Sequence, residues 1–120
     1  SDITRQVLSV LAGKYPLVVI TNGNVLVERL GLDGHFQHIL KAGGGFRMKP
    51  APDLFQSMAQ RLGLPPHQIL HVGDDVTTDV AGAVCNGYRS AWLNDVGQEW
   101  HNLRILPDLS GSARRDPVHP

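Results

Sequence analysis

A group of three aspartates, Asp74, Asp75 and Asp79, carries the strongest chemical signal in the sequence. The group follows a short apolar segment and would occupy the first turn of the next helix. One Asp there needs no function, because a carboxylate caps a helix N-terminus and interacts favourably with the helix dipole. Three carboxylates this close together repel one another unless a hard cation offsets their charge. The spacing therefore favours a Mg²⁺ site over simple helix capping.

Two further polar segments are suited to a phosphate group. Thr21-Asn22-Gly23 places a hydroxyl after an apolar run, and the glycine lets backbone N–H groups turn towards an anion. Lys49 precedes Pro50, which restricts the lysine backbone and disfavours helix at that position, so the ammonium would be presented from a rigid corner. Each segment alone also fits an ordinary structural role, Asn-Gly as a turn and Lys-Pro as part of a surface loop.

Apolar spacing predicts strands that alternate with helices along the chain. The clearest helix begins at Pro52 and carries apolar residues at intervals of three and four until Gly63. Strands are predicted over residues 17–20, 36–41, 68–72 and 89–93, and further helical segments over residues 3–11, 25–30 and 75–87. This alternation indicates parallel βαβ units in an open three-layer α/β sheet. Because ligands bind at the carboxyl ends of parallel strands, the polar segments are expected to meet there.

The length and composition fit one compact soluble domain. The 120 residues are 42% apolar and carry Lys+Arg 11 against Asp+Glu 11, which is unlike a disordered or nucleic-acid-coating protein. No apolar run approaches the ~20 residues needed to cross a bilayer. Cys85 is the single cysteine and is expected to pack within a helix, which fits a cytoplasmic protein. We expect neither nucleic acid nor a membrane as a partner.

Taken in order, the three polar segments resemble the motifs of a known superfamily. Residues 19–23, the pair Lys49-Pro50 and residues 71–79 resemble the second, third and fourth motifs of the haloacid dehalogenase superfamily, and the resemblance covers about residues 3–95. Two segments are similar in sequence to bacterial phosphatases acting on the flavin-pathway intermediate 5-amino-6-(5-phosphoribitylamino)uracil. These segments are Ile-Thr-Asn-Gly-Asn and His-Val-Gly-Asp-Asp-x-Thr-Thr-Asp-Val. The resemblance implies a Rossmannoid three-layer α/β/α fold and Mg²⁺-dependent hydrolysis of a small phosphate monoester.

The resemblance also implies a role for each phosphate-binding residue. In the superfamily an Asp attacks phosphorus, a second Asp two residues later protonates the leaving alkoxide, and water hydrolyses the acyl phosphate. Carried over by position, Thr21 and the backbone amides of Asn22 and Gly23 would hold the phosphoryl oxygens. Lys49 would stabilise the nucleophile and the transferring group. Thr21 and Lys49 are therefore the expected catalytic residues of this chain.

The metal ligands implied by the resemblance are Asp74 and Asp79. Asp74 would bind Mg²⁺ directly, whereas Asp79 would support either the metal-bound waters or Lys49. Asp75 would lie in the surroundings of the metal. The six histidines show no ligand spacing for zinc, and His71 is expected only to pack in its strand.

The first motif of the superfamily, Asp-x-Asp, is missing from this sequence. Residues 1–107 are therefore expected to form the C-terminal part of the core, with residues 108–120 as a polar tail. In the superfamily the nucleophile strand lies between the strands ending here at Thr21 and Gly73, so a gap with unpaired backbone groups is expected. We expect the chain to be incomplete and inactive alone. The missing N-terminal segment or another chain would complete the sheet.

The same residue types also occur in proteins with two other functions. Receiver domains of bacterial signalling use similar residues, but they place the acidic pair first and the lysine last, whereas this chain runs Thr21, Lys49, Asp74. A non-catalytic module that binds phosphate and Mg²⁺ also fits a chain without the nucleophile. Among enzymes of the same fold, dehalogenases would not need the metal-binding carboxylates.

Overall fold

A computed structural model describes residues 2–23, 33–93 and 103–105, and the elements of the fold are those of these residues. The strands are β1 (Val18–Thr21), β2 (His38–Lys41), β3 (Leu70–Gly73), β4 (Arg89–Leu93) and β5 (Leu103–Ile105). The α-helices are α1 (Asp2–Ala12), α2 (Pro52–Leu62) and α3 (Gly82–Cys85). Short 3₁₀ turns cover Asp33–His35 and Pro66–Gln68, and a π-helix covers Val76–Ala81. The predicted segments at residues 25–30 and 108–120 lie outside the described residues.

Helix α2 has the limits that the sequence predicts. Pro52 occupies its first turn, where a missing N–H costs nothing. The helix ends at Gly63, whose φ of 68° is left-handed and whose N–H bonds back to the last turn. A side chain at that φ would be strained, so glycine sets the end of the helix.

The strands form two sheets. β1 pairs with β2 in parallel, and β3 pairs with β4 in parallel. β5 pairs with the other edge of β4 in antiparallel orientation. The prediction that residues 89–93 form the last strand is therefore wrong, and the sheet is mixed rather than wholly parallel. The segment Leu103–Ile105 is only 3 residues long, which is too short to give an alternating pattern.

β1 and β3 are not paired with each other within the described residues. The carboxyl-end motifs therefore sit on two separate sheets, as the expected gap requires. On β3, Leu70 and Val72 remain 45% and 42% exposed, although a strand inside an α/β sheet is normally covered on both faces. The described fold is consequently a partial α/β sheet with an open centre.

Helix α2 joins the two sheets by packing against both of them. One side of the helix contributes Leu54 and Met58 to a cluster with Leu40 of β2. The other side contributes Phe55 and Ala59 to a second cluster, which also contains Ile69, Ala83 and Tyr88. Because both clusters share one rigid helix, the loops at the ends of β1 and β3 are held in a fixed relation.

The helical segment after β3 differs from the single α-helix predicted over residues 75–87. The backbone carbonyl of Asp75 accepts from the N–H of Asp79 at 2.9 Å and from that of Val80 at 3.1 Å, and the second bond widens the first turn. Cys85 is exposed, so the expectation that it packs within the helix is wrong. None of the helices in the described ranges has the length and apolar character to cross a membrane.

Candidate functional site

The site centres on a buried ion pair between two of the predicted segments. Lys49 lies in the loop that leads into α2, and Asp79 lies in the π-helix that follows β3. Lys49 Nζ is 2.7 Å from Asp79 Oδ1, and the two side chains are only 10% and 9% exposed. The fold therefore brings the lysine against a carboxylate of the acidic group.

Three donors hold the carboxylate of Asp79. Its Oδ1 accepts from Lys49 Nζ and also lies 3.1 Å from His71 Nε2, while its Oδ2 accepts from the backbone N–H of Asp75 at 3.2 Å. Burial opposes ionisation of Asp79, but the hydrogen bonds from His71 and Lys49 and the lysine charge together hold its pKa well below the usual range. Asp79 is therefore a fixed anion at neutral pH.

Gly73, the last residue of β3, makes room for this carboxylate. A Cβ atom at that position would lie 2.4 Å from Asp79 Cγ and 2.4 Å from its Oδ2. Side-chain atoms do not approach this closely, so any other residue would push Asp79 away from Lys49. The glycine between the apolar strand and the acidic group is required by the ion pair.

The side chain of Asn22 fixes the backbone of Lys49. The N–H of Lys49 donates to Asn22 Oδ1 at 2.7 Å, and Asn22 Nδ2 donates to the Lys49 carbonyl at 3.2 Å. The prediction considered only the backbone amide of Asn22 and missed this side-chain role. Together with Asp79, Asn22 holds the lysine at both its backbone and its ammonium.

Thr21 ends β1 and is 7% exposed. Its Oγ1 accepts from the N–H of Gly23 at 3.2 Å. A hydroxyl that accepts in this way can still donate its own hydrogen, so Thr21 keeps the donor that a phosphoryl oxygen needs. The Gly23 amide thus donates to Thr21 itself, and its contact with a phosphoryl oxygen stays a prediction.

The remaining two aspartates have separate roles. Asp75 Oδ1 accepts from the backbone N–H groups of Thr77 and Thr78 at 2.9 and 2.8 Å, and these bonds lower the pKa of Asp75. Asp75 thus caps the helix, which is the structural role that the sequence also allowed for an Asp at this place. Asp74 is an exposed residue, and its backbone carbonyl accepts from Trp92 Nε1 at 3.1 Å.

These contacts limit what the chain offers to a cation. In the part of the chain that the structure describes, no three His, Cys, Asp or Glu residues are grouped closely enough to hold a metal ion. Asp79 is occupied by Lys49 and His71, and Asp75 caps the helix. Asp74 therefore fits as one oxygen ligand of Mg²⁺. The geometry favours Asp79 as the support of Lys49, one of the two roles expected for it.

His71 also has a role that its sequence position did not predict. Its ring packs edge-on against Phe55, with ring centroids 5.2 Å apart and an interplanar angle of 78°. The expectation of packing is therefore met, but the ring nitrogen also contacts Asp79. The contact could have been predicted from the alternation of side chains along the strand. His71 and Gly73 share one face of β3, and the Asp79 carboxylate packs against that glycine.

Comparisons with known proteins find relatives of this chain both in sequence and in structure. A sequence profile described as haloacid dehalogenase-like hydrolase matches residues 1–87. The 5-amino-6-(5-phospho-D-ribitylamino)uracil phosphatase of Escherichia coli is 44% identical over 110 residues, which cover 88% of this chain and 46% of the enzyme. The chain thus spans about half the length of the curated relatives it matches.

Two solved structures share the fold. A 2-haloacid dehalogenase from Pseudomonas syringae superposes with a TM-score of 0.71 and 40% identity, covering 78% of this chain and 40% of that protein. A phosphatase of the same superfamily from Thermococcus onnurineus gives a TM-score of 0.69 and 30% identity, covering 82% and 48%. The similar proteins therefore include some named for dehalogenation and others named for phosphate removal.

Proposed function

Since this chain belongs to the haloacid dehalogenase-like hydrolase family, we propose that it supplies the phosphate-binding half of a Mg²⁺-dependent phosphate monoester hydrolase. The observation that carries the proposal is the fixation of Lys49. Its ammonium is held by Asp79 at 2.7 Å and its backbone is held by Asn22. A cation held before substrate arrives stabilises developing charge without the cost of reorganisation.

The chemistry assigned to this chain is the binding and stabilisation of the phosphoryl group. Thr21 donates its hydroxyl hydrogen to one phosphoryl oxygen, and Lys49 offsets the charge on the group as it is transferred. Asp79 keeps the ammonium in place and stays ionised, because three donors surround it. Asp74 contributes one ligand to Mg²⁺, which when bound neutralises charge on the phosphate oxygens.

The nucleophile is proposed to be an Asp on a strand that pairs between β1 and β3. Support comes from the separation of these strands into two sheets and from the exposure of Leu70 and Val72. In this reaction the carboxylate attacks phosphorus, the P–O bond to the ester oxygen breaks, and the second Asp of the missing Asp-x-Asp motif donates the proton to the leaving oxygen. Water then cleaves the acyl phosphate, which releases phosphate and restores the carboxylate.

The absence of an Asp-x-Asp motif determines what the 120-residue chain is expected to do by itself. Its sequence contains no Asp followed two residues later by another Asp. We therefore expect the isolated chain to behave as the non-catalytic alternative, which binds inorganic phosphate without turning over an ester. Turnover by the isolated chain would contradict the proposal that the nucleophile lies outside it.

The proposed substrate is a small phosphorylated metabolite. The Escherichia coli relative is named for 5-amino-6-(5-phospho-D-ribitylamino)uracil, and 44% identity makes this compound the first one to test. The dehalogenase from Pseudomonas syringae makes a 2-haloacid the second. Release of phosphate or of halide distinguishes the two reactions.

The test uses the full natural protein with Mg²⁺ and measures phosphate release. We expect Lys49→Ala and Asp74→Asn each to lower kcat/KM by about 100-fold or more, the usual effect of removing one stabilising group. Lys14→Ala is the matched control, because Lys14 is exposed in the loop after α1. Undiminished turnover in both site variants would refute the assignments.

A further inference from the structure

His71 has a contact that packing alone does not require. Its side chain is 11% exposed, and Nε2 lies 3.1 Å from Asp79 Oδ1, the same oxygen that accepts from Lys49. Asp79 is ionised, and a carboxylate can only accept hydrogen bonds. The proton between the two residues therefore sits on His71 Nε2.

The surroundings of His71 fix the direction of this N–H bond. The ring meets Phe55 edge-on, which prevents it from turning freely about its χ2 angle. Asp79 Oδ2 is held from another direction by the Asp75 amide at 3.2 Å. With both oxygens bonded, the carboxylate cannot rotate, so Oδ1 stays directed at the lysine. Without the imidazole donor, Oδ1 would be held by Lys49 alone.

We propose that His71 is a positioning residue, which orients Asp79 and through it the ammonium of Lys49. The inference deepens the proposed function, because it rests on Lys49 being the cation that meets the phosphoryl group. His71 itself does not touch the substrate in this scheme. An N–H donor at Nε2 is all that this role requires.

Two variants of equal length separate the hydrogen bond from packing. His71→Gln retains an N–H donor at similar reach, whereas His71→Met fills similar space without a donor. His71→Phe is a third variant, which keeps a ring against Phe55 and lacks the donor. It replaces His71→Met if that variant does not fold.

The first measurement is the ¹⁵N-resolved signal of the Lys49 ammonium in the full natural protein, assigned with Lys49→Met. Protons of an ammonium held in a buried ion pair exchange slowly enough to be observed. We expect the signal in wild type and in His71→Gln, and its broadening or loss in His71→Met. The second measurement is the affinity for inorganic phosphate, which should fall about tenfold in His71→Met and recover in His71→Gln.

The two measurements on the His71 variants can overturn the positioning role and the proposed function separately. A Lys49 signal and phosphate affinity that are the same in His71→Met as in wild type would overturn the positioning role, as would a folded His71→Gln that fails to restore them. The protein could instead neither bind phosphate nor hydrolyse esters while its Lys49 ammonium signal still depends on a donor at residue 71. That result would support the positioning role and refute the proposed function. The ammonium signal thus tests this inference independently of turnover.

Discussion

Replacing Lys49 with methionine tests whether the ion pair at the centre of the site is as important to the fold as its burial suggests. Both partners are about 10% exposed or less, so Asp79 would lose its nearest cation without gaining water. Breaking a buried pair by removing one partner generally costs about 3–5 kcal/mol. Because His71 and the Asp75 amide would still donate to the carboxylate, we expect a loss of about 3 kcal/mol in the free energy of unfolding at neutral pH.

The pH dependence of that loss follows from the depressed pKa of Asp79. A group whose pKa is lower in the folded state stabilises the fold above its ordinary pKa, here 3.8, and this stabilisation is lost as pH falls towards the folded value. In Lys49→Met the pKa is less depressed, because the neighbouring charge is gone. The variant therefore has less to lose in acid. The difference in unfolding free energy should be greatest at neutral pH and should narrow below 3.8.

The assay is urea denaturation followed by circular dichroism, repeated from neutral to acidic pH. Lys14→Met makes the same chemical change at an exposed lysine and should alter stability by less than about 0.5 kcal/mol. Equal stability of the two variants would refute the energetic reasoning about burial. A difference that stays constant in acid would refute the assignment of the effect to Asp79.

Gly73→Ala should cost about 1–3 kcal/mol in unfolding free energy and weaken phosphate binding, because the added methyl would lie 2.4 Å from the Asp79 carboxyl group. Gly34→Ala is its control, since an added Cβ there meets nothing within 4 Å; similar losses in both would contradict the steric argument. Asp75→Ala should cost about 0.5–2 kcal/mol by removing the helix cap, whereas Asp75→Asn retains the acceptor and should change stability little. Equal destabilisation by the two Asp75 substitutions, measured by denaturation, would instead indicate a role for its charge.

The elements that position the site could be predicted because each has a local cause. The apolar periodicity and the Pro52 and Gly63 signals define α2 from residues that are neighbours in sequence. The polar segments at Thr21 and Lys49 could be found because strand ends and proline restrict the backbone at known places. Local chemistry of this kind is visible in a single sequence.

The details of the site were not predictable, because they depend on partners distant in sequence. Asn22 bonds to a backbone 27 residues away, and His71 contacts Asp79, which lies in the π-helical turn after β3. That turn depends on which amides the Asp75 carbonyl accepts, and no residue type specifies this choice. The three similar carboxylates have different roles because of these contacts, and the spacing of the residues in the sequence does not show which role each one takes.

The different roles of the three aspartates also indicate which residue can distinguish phosphate removal from dehalogenation. A buried Lys49 held by Asp79 suits any anionic group, so it is equally compatible with relatives named as a phosphatase and as a dehalogenase. Asp79 is committed to the lysine and Asp75 to the helix, which leaves Asp74, an exposed residue, as the third carboxylate of the group. A phosphoryl group brings excess negative charge that a divalent cation offsets, whereas displacement of halide from a haloacid lacks that demand. The effect of Asp74→Asn, measured with and without a chelator, therefore reports on the reaction more directly than any substitution at Lys49.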